Sequence, residues 1–185
     1  MGLSLAIGGH VITDTRLDAS LDDVDENTLI ATMRIVLAVA TLLAVMIDPG
    51  GLGDPHPFTL LVFYGYTAQS AIIYISARLG GGLSDSKMVH WLDVFWFSLV
   101  LLIAGPLTGF FFLFFFAIST AAFRWGYDEG ARVTLACAAL YCLAATQAAD
   151  QSELAQMLLR ATFLLGLGYI VSHWAQASIN QKRRI

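Results

Sequence analysis

The sequence predicts an all-α integral membrane bundle of six transmembrane helices. Hydrophobic residues make up 57% of the 185-residue chain and charged residues only 13%, and the mean hydropathy is +0.70. Soluble domains carry roughly 25% charged residues. Apolar runs of about 20 residues recur along the chain, and this is the length that an α-helix needs to cross the hydrocarbon core of a bilayer.

The predicted spans are separated by short breaks rich in glycine, proline or polar residues. Asp48, Pro49 and two glycines end the first apolar run, three glycines follow the second, and a Gly-Pro pair at 105–106 makes a tight reversal after the third. The spans cover residues 28–47, 58–77, 88–104, 107–123, 131–149 and 154–177. We therefore expect a transmembrane domain over residues 28–177.

Two polar segments flank this domain. Residues 1–27 carry six of the 14 acidic side chains and a single arginine, so the net charge of -4 comes largely from this segment, and we expect a largely flexible tail there. Residues 178–185 contain no glycine or proline and end in Lys-Arg-Arg-Ile, which favours the start of an exit helix beyond the last span. The acidic charge gives no support for nucleic-acid binding.

The distribution of lysine and arginine predicts the orientation of the bundle. Cationic residues accumulate in cytoplasmic loops. In a six-span arrangement Arg160 alone lies toward one side, and all other cations lie toward the opposite side: Arg16, Arg34, Arg78, Lys87, Arg124, Arg132, Lys182, Arg183 and Arg184. We therefore expect both termini in the cytoplasm.

One carboxylate, Asp93, lies inside the third span. An ionisable group costs about 2.5 to 3.5 kcal/mol at the centre of a span, so it usually faces the bundle interior and has a partner. His90 shares its helix face. Arg124, at the end of the antiparallel fourth span, and Arg34, in the first span, are the two candidate partners. Such a pair either holds the helices in register or changes its pairing with a signal.

Farther toward the outside, four residues mark where we expect a ligand pocket, if the protein binds a lipophilic small molecule. They are Gln69, Trp96, Thr108 and Arg160. Arg160 lies about one turn inside the last span, where it can extend outward, pair with a nearby carboxylate or bind an anionic headgroup.

The last span ends near His173 and Trp174, which we interpret as the point where the last helix leaves the membrane. A tryptophan in this position is usually an interface anchor. A haem held between His90 and His173 is an alternative, although no second histidine pair accompanies them. The chain contains no HExxH, Walker A or GxSxG motif, so we expect no catalytic residues, no metal site and no cofactor.

The order of these features resembles the multi-pass N-terminal input region of bacterial sensor histidine kinases, a region that also precedes some diguanylate cyclases. The resemblance covers roughly residues 30–185. The residues that carry it are Arg34, Asp48, Pro49, the His-Trp-Leu-Asp sequence at 90–93, the Phe-Arg-Trp-Gly sequence at 123–126, Glu129, Gly130 and Arg132.

The resemblance implies a sensor domain in the bacterial inner membrane. Such a domain passes a membrane or ligand signal through its last helix to a cytoplasmic kinase or other output domain, and from there to a response regulator. It also implies a homodimer surrounded by membrane lipid.

The chain itself carries no phosphoacceptor helix and no ATP-binding motif, so we expect no enzymatic activity from it. It is either the sensory part of a longer receptor or a separate homologue that acts through a partner. The alternative is a small membrane transporter or cofactor-binding protein that works alone.

Overall fold

The structure, a computed structural model, describes residues 10–47, 57–80, 86–105, 108–148 and 154–182. These ranges contain six α-helices and no β-strand, which confirms the predicted all-α class. The helices are α1 (His10–Ile47), α2 (Pro57–Arg78), α3 (Lys87–Ala104), α4 (Phe112–Trp125), α5 (Tyr127–Ala148) and α6 (Leu154–Lys182), with a 3₁₀ turn (Gly109–Phe111) before α4.

The ends of α3 and α4 follow from local chemistry. Ser86 precedes α3, and its hydroxyl accepts a hydrogen bond from the Met88 N–H at 3.3 Å, which is the usual N-cap arrangement. Gly105 ends α3 with φ of 89°, and Gly126 ends α4 with φ of 84°. Glycine adopts these positive φ values without the steric cost of a Cβ atom, so both helices stop where the sequence supplies it.

The first helix is longer than the sequence predicts, because it begins at His10 and continues through the acidic segment into the first apolar span. In the sequence, Asp14, Asp18, Asp22 and Asp25 recur at intervals of three or four residues, a spacing that a helix accommodates. Extending an existing helix costs much less than starting one. Residues 1–9 lie outside the described ranges, as do residues 183–185 of the predicted exit segment.

Neighbouring helices run in opposite directions. The ring of Phe63 in α2 lies 5.5 Å from that of Phe110 in the 3₁₀ turn, while Tyr66, one turn later in α2, lies 5.3 Å from Phe97 in α3. Helix α3 touches α2 on one side and both α4 and α5 on the other. The starts of α3 and α5 therefore meet the ends of α4 and α6 at one end of the bundle, which we call the Trp125 end; the opposite end is the Thr108 end.

Small residues bring α5 and α6 close together. A Cβ atom at Gly168 of α6 would overlap the side chain of Thr134 in α5, and one at Gly130 of α5 would overlap Ser172 in α6. Gly166, two residues before Gly168, faces open space. In membrane proteins, glycine and other small residues allow this close approach of two backbones.

The surface of the bundle is apolar. Four stretches of the described helices are long and apolar enough to cross a membrane: Asn27–Ile47, Phe58–Arg78, Lys87–Ala104 and Leu154–Gln181. Only 22% to 33% of the residues in their most apolar windows are buried, and large side chains such as Ile47, Leu61 and Leu159 are exposed. A surface of this kind needs hydrocarbon around it. The chain therefore has the character of a membrane protein.

The packing of α5 on α6 can be tested at neighbouring glycines. We expect Gly168→Ala to lower the stability of the fold by about 1–3 kcal/mol, because the added methyl group overlaps Thr134. Gly166→Ala is the matched control and should be neutral or stabilising by up to about 1 kcal/mol, since alanine is the better helix former. Thermal unfolding in detergent measures both, and equal melting temperatures for the two variants would contradict the close packing.

Candidate functional site

Asp93 in α3 and Arg34 in α1 form an ion pair inside the bundle. The Nε of Arg34 donates to Oδ2 of Asp93 at 2.8 Å, and the Nη2 of Arg34 lies 2.7 Å from the same oxygen. Each side chain is 1% exposed. Since an isolated charge is costly in this environment, each side chain depends on the other as its partner.

The two partners use only part of their hydrogen-bonding capacity. Within the described part of the chain, the Nη1 of Arg34 and the Oδ1 of Asp93 are buried without a hydrogen-bond partner. The same holds for the hydroxyls of Tyr66 and Ser70 in α2 and for both ring nitrogens of His90 in α3. We call these five residues the polar cluster.

The members of the polar cluster lie within electrostatic reach of one another. Tyr66 is close to both charges of the ion pair. Its hydroxyl also lies near the hydroxyl of Ser70, but the two groups do not form a hydrogen bond of good geometry. His90 is close to Arg34 and shares its face of α3 with Asp93. Three helices therefore contribute polar groups to one enclosed region.

The polar cluster contains groups of complementary hydrogen-bonding type. Arginine can only donate, an ionised aspartate can only accept, and hydroxyl and imidazole groups can do both. A buried polar atom without a partner costs about 1–3 kcal/mol. A hydrogen bond from a hydroxyl or imidazole group of the cluster to the Oδ1 of Asp93 would therefore be favourable.

Of the two arginines expected beside Asp93, the structure pairs it with Arg34. Arg124 lies at the Trp125 end, where it donates to the side-chain oxygen of Asn27 in α1 and its guanidinium lies 5.7 Å from the centre of the Trp125 ring. Asn27 precedes Arg34 by two helical turns. Helix α1 is therefore bonded to α4 through Asn27 and to α3 through Arg34.

At the Trp125 end, the ring of Trp125 contacts side chains from more than one helix. The ring of His90 packs against it edge to face, with 5.1 Å between ring centres, and the Lys87 ammonium lies 5.8 Å from the ring centre. Lys87 also lies 3.3 Å from Glu129, whose side chain is only 10% exposed, and Arg132 contacts the same carboxylate at 3.5 Å. Cation–π and ion-pair contacts thus join α3, α4 and α5 here.

The sequence did not single out Trp125, Tyr66 or Ser70 as site residues. Tyr66 and Ser70 are four positions apart in an otherwise apolar helix, which places them on one face, and this spacing was a usable signal. No such signal existed for Trp125, because tryptophan near a membrane surface is ordinarily an interface anchor.

The four residues of the expected ligand pocket form two separate pairs. The Nε1 of Trp96 donates to the side-chain oxygen of Gln69, and the Nη1 of Arg160 donates to the backbone oxygen of Thr108 at 3.1 Å. The guanidinium of Arg160 also lies 4.9 Å from the centre of the Phe111 ring. Trp96 precedes the end of α3 by about 12 Å at 1.5 Å per residue, so the two pairs lie at different depths.

An apolar cleft of about 110 Å³ lies between α5 and α6 toward the Thr108 end. Its lining offers hydrocarbon contacts and almost no hydrogen-bonding groups, so it suits an apolar group. The lining residues are Tyr141, Cys142, Ala145, Thr146, Leu154, Met157, Leu158 and Ala161.

His173 and Trp174 lie on the outer face of α6. Trp174 is 71% exposed and packs edge to face against Phe123, while His173 is exposed and stacks on Tyr169. His90, by contrast, is 2% exposed and enclosed against Trp125. The two histidines therefore do not face a common space, and the alternative of a haem held between them has no geometric support.

Within the described ranges, no group of three or more histidine, cysteine, aspartate or glutamate side chains could hold a metal ion. Comparison of the chain with protein-family models, with curated proteins and with solved structures finds no match.

The ion pair can be tested by a double-mutant cycle. We expect Asp93→Leu or Arg34→Met alone to destabilise the fold by about 3–5 kcal/mol, because each leaves the other charge buried and unpaired. The double variant should be less destabilised than either single variant. Denaturant titration in mixed micelles measures the free energy of unfolding. Arg78→Met, at an exposed position, is the control and should change little; additive effects of the two core substitutions would contradict the pairing.

Proposed function

We propose that this chain is a transmembrane signal-input domain of the histidine kinase type, which passes a membrane or ligand signal through α6 to a cytoplasmic output domain. One observation carries the proposal: the Arg34–Asp93 pair lies in a polar cluster with spare donors and acceptors on three helices. A pair that served only to clamp two helices would gain from using both carboxylate oxygens. A partly satisfied network is instead suited to exchange between two arrangements.

Helix α6 is suited to carry the output. Its 29 residues extend about 43 Å at 1.5 Å per residue, more than the ~30 Å of a bilayer core. No glycine or proline follows Gly168, so the helix runs unbroken to Lys182. It packs against α4 and α5, which connects it to the end of the bundle where the polar cluster lies.

The proposed topology has six spans and both termini in the cytoplasm of a bacterial inner-membrane protein. The described cations support it: Arg78, Lys87, Arg124 and Arg132 lie toward the Trp125 end, and Arg160 lies toward the Thr108 end. The Trp125 end is then cytoplasmic. We further propose that the domain works as a homodimer and that a response regulator receives its output.

Reporter fusions test this topology. We expect alkaline phosphatase, which is active only outside the cytoplasm, to be active when fused within residues 48–57, 105–109 or 150–153, because these segments would face the exterior. Green fluorescent protein should fluoresce when fused after residue 185 or within residues 79–86. Phosphatase activity at either of those two positions would rule out the six-span arrangement.

The switching role of the polar cluster is tested by Asp93→Asn in the full chain fused to the catalytic region of a sensor histidine kinase. Asparagine keeps the size of the side chain and removes its charge, so the ion pair with Arg34 is lost while the packing is retained. We expect a several-fold change in basal output, measured by a transcriptional reporter, since the balance between the two arrangements shifts.

Arg78→Gln is the matched control, because it also removes one charge and Arg78 lies at the same end of the bundle but is exposed. It should leave the output unchanged. If Asp93→Asn also leaves basal output unchanged while the protein is present at normal amounts in the membrane, the polar cluster is a structural clamp and the proposed function loses its support.

A further inference from the structure

We infer that the junction between α4 and α5 transmits a change in the polar cluster to α6, and that Gln176 is the positioning residue through which α6 receives it. The inference rests on the proposed signal-input function. It identifies how the cluster would regulate the output helix, which lies on the opposite side of the bundle from α1.

The first step of the connection runs from α3 to α4. His90 and Asp93 share a face of α3, one turn apart, and the ring of His90 packs against Trp125 with 5.1 Å between ring centres. His90 is 2% exposed, so it is enclosed by the surrounding helices. A close-packed interior transmits displacement, and a change in the pairing of Asp93 that moves His90 therefore also moves Trp125.

The second step crosses from α4 to α5 through a single residue. Trp125 is the last residue of α4, Tyr127 is the first residue of α5, and only Gly126 lies between them. The N–H of Gly126 donates to Ala122 at 2.9 Å, and its carbonyl oxygen accepts from the N–H of Gly130 at 3.1 Å. Because this short linker is bonded to both helices, it cannot absorb a displacement of Trp125.

The third step reaches α6. The backbone N–H of Tyr127 is one of the first amides of α5, which have no partner within their own helix. It donates to the Oε1 of Gln176 in α6 at 3.1 Å. The amide group of Gln176 lies so close to the junction that a Cβ atom at Gly126 would be 2.8 Å from the same oxygen. On its other side, the Nε2 of Gln176 donates to Asn180, one turn nearer the exit, at 3.1 Å.

The hydrogen bond from Tyr127 to Gln176 differs in kind from the two close steric approaches between α5 and α6. The Gly130–Ser172 and Gly168–Thr134 approaches are steric, and they hold the helices together in any state of the junction. The hydrogen bond is directional, so it responds when the first turn of α5 rotates or shifts. The contact from Arg124 to Asn27 leads from the junction toward α1 and does not reach α6.

Pulsed electron paramagnetic resonance on the full chain in lipid bilayers tests the inference. Spin labels are placed at Leu79→Cys and Ser178→Cys, two exposed positions near the Trp125 end, after Cys137 and Cys142 are replaced by alanine. Labelled protein is diluted with unlabelled protein, so that only distances within one chain are measured. The distance distribution is compared with and without Asp93→Asn in three backgrounds: native Gln176, Gln176→Ala and Gln176→Glu.

We expect Asp93→Asn to shift the distance between the labels in the native background and to cause no shift in Gln176→Ala. Gln176→Glu should retain the shift, because glutamate keeps an acceptor oxygen for the Tyr127 N–H, and a negative charge is favourable at the start of a helix. Gln181→Ala is the matched control, an exposed glutamine of the same helix, and should also retain it. Melting temperatures confirm that each variant is folded.

The outcomes separate this inference from the proposed function. An equal shift in the native and Gln176→Ala backgrounds overturns the role of Gln176 and leaves the signal-input function in place. No shift in any background, together with a change of kinase output in the Asp93→Asn fusion, also overturns the inference alone. No shift and no change of output contradict both.

Discussion

The interior of a membrane bundle contains little water to solvate a charge. In this protein, that constraint bears most directly on the Arg34–Asp93 pair. Neither side chain reaches the surface, so each depends on the other. The pair joins α1 to α3 and so adds a polar tie to helices that are otherwise covered by apolar side chains. It also draws Tyr66, Ser70 and His90 into the same enclosed region.

The two halves of the bundle are held together by different physics. Helices α1 to α3 share the polar cluster, whose atoms can exchange partners. Helices α4 to α6 approach one another through alanine and glycine contacts, where the fit is steric and permits little rearrangement. The half that contains the polar cluster therefore lies beside a half held by close steric contacts, and Trp125 stands where the two meet.

Arg160 contributes to this division at the opposite end. The sequence allowed it to extend outward, to pair with a carboxylate or to bind a headgroup; the structure shows it donating to the Thr108 backbone and lying over the Phe111 ring. These contacts tie the first turns of α6 to the start of the fourth span.

The sequence by itself determined the number and type of the helices and the approximate limits of all but the first, which begins at His10 within the segment expected to be flexible. Hydrophobic runs and glycine or proline breaks are local properties of the chain. The sequence also placed Asp93 and His90 on one face, since the helical repeat alone decides that. It could not choose between Arg34 and Arg124 as the partner of Asp93. Both are expected at similar depth, and the choice depends on how each helix is rotated against its neighbours.

The tertiary structure made that choice, and it alone brought Tyr66, Ser70, Trp125 and Gln176 into the argument. Their roles depend on contacts with residues far away in the sequence. A periodic pattern in the sequence cannot reveal such contacts. The expected ligand pocket also shows what the sequence could not decide. Its four residues were expected to lie together, but the structure has them as two pairs at different depths, because packing between helices decides which side chains meet. Composition and periodicity therefore specified the helices, and contacts between helices decided which residues form the polar cluster.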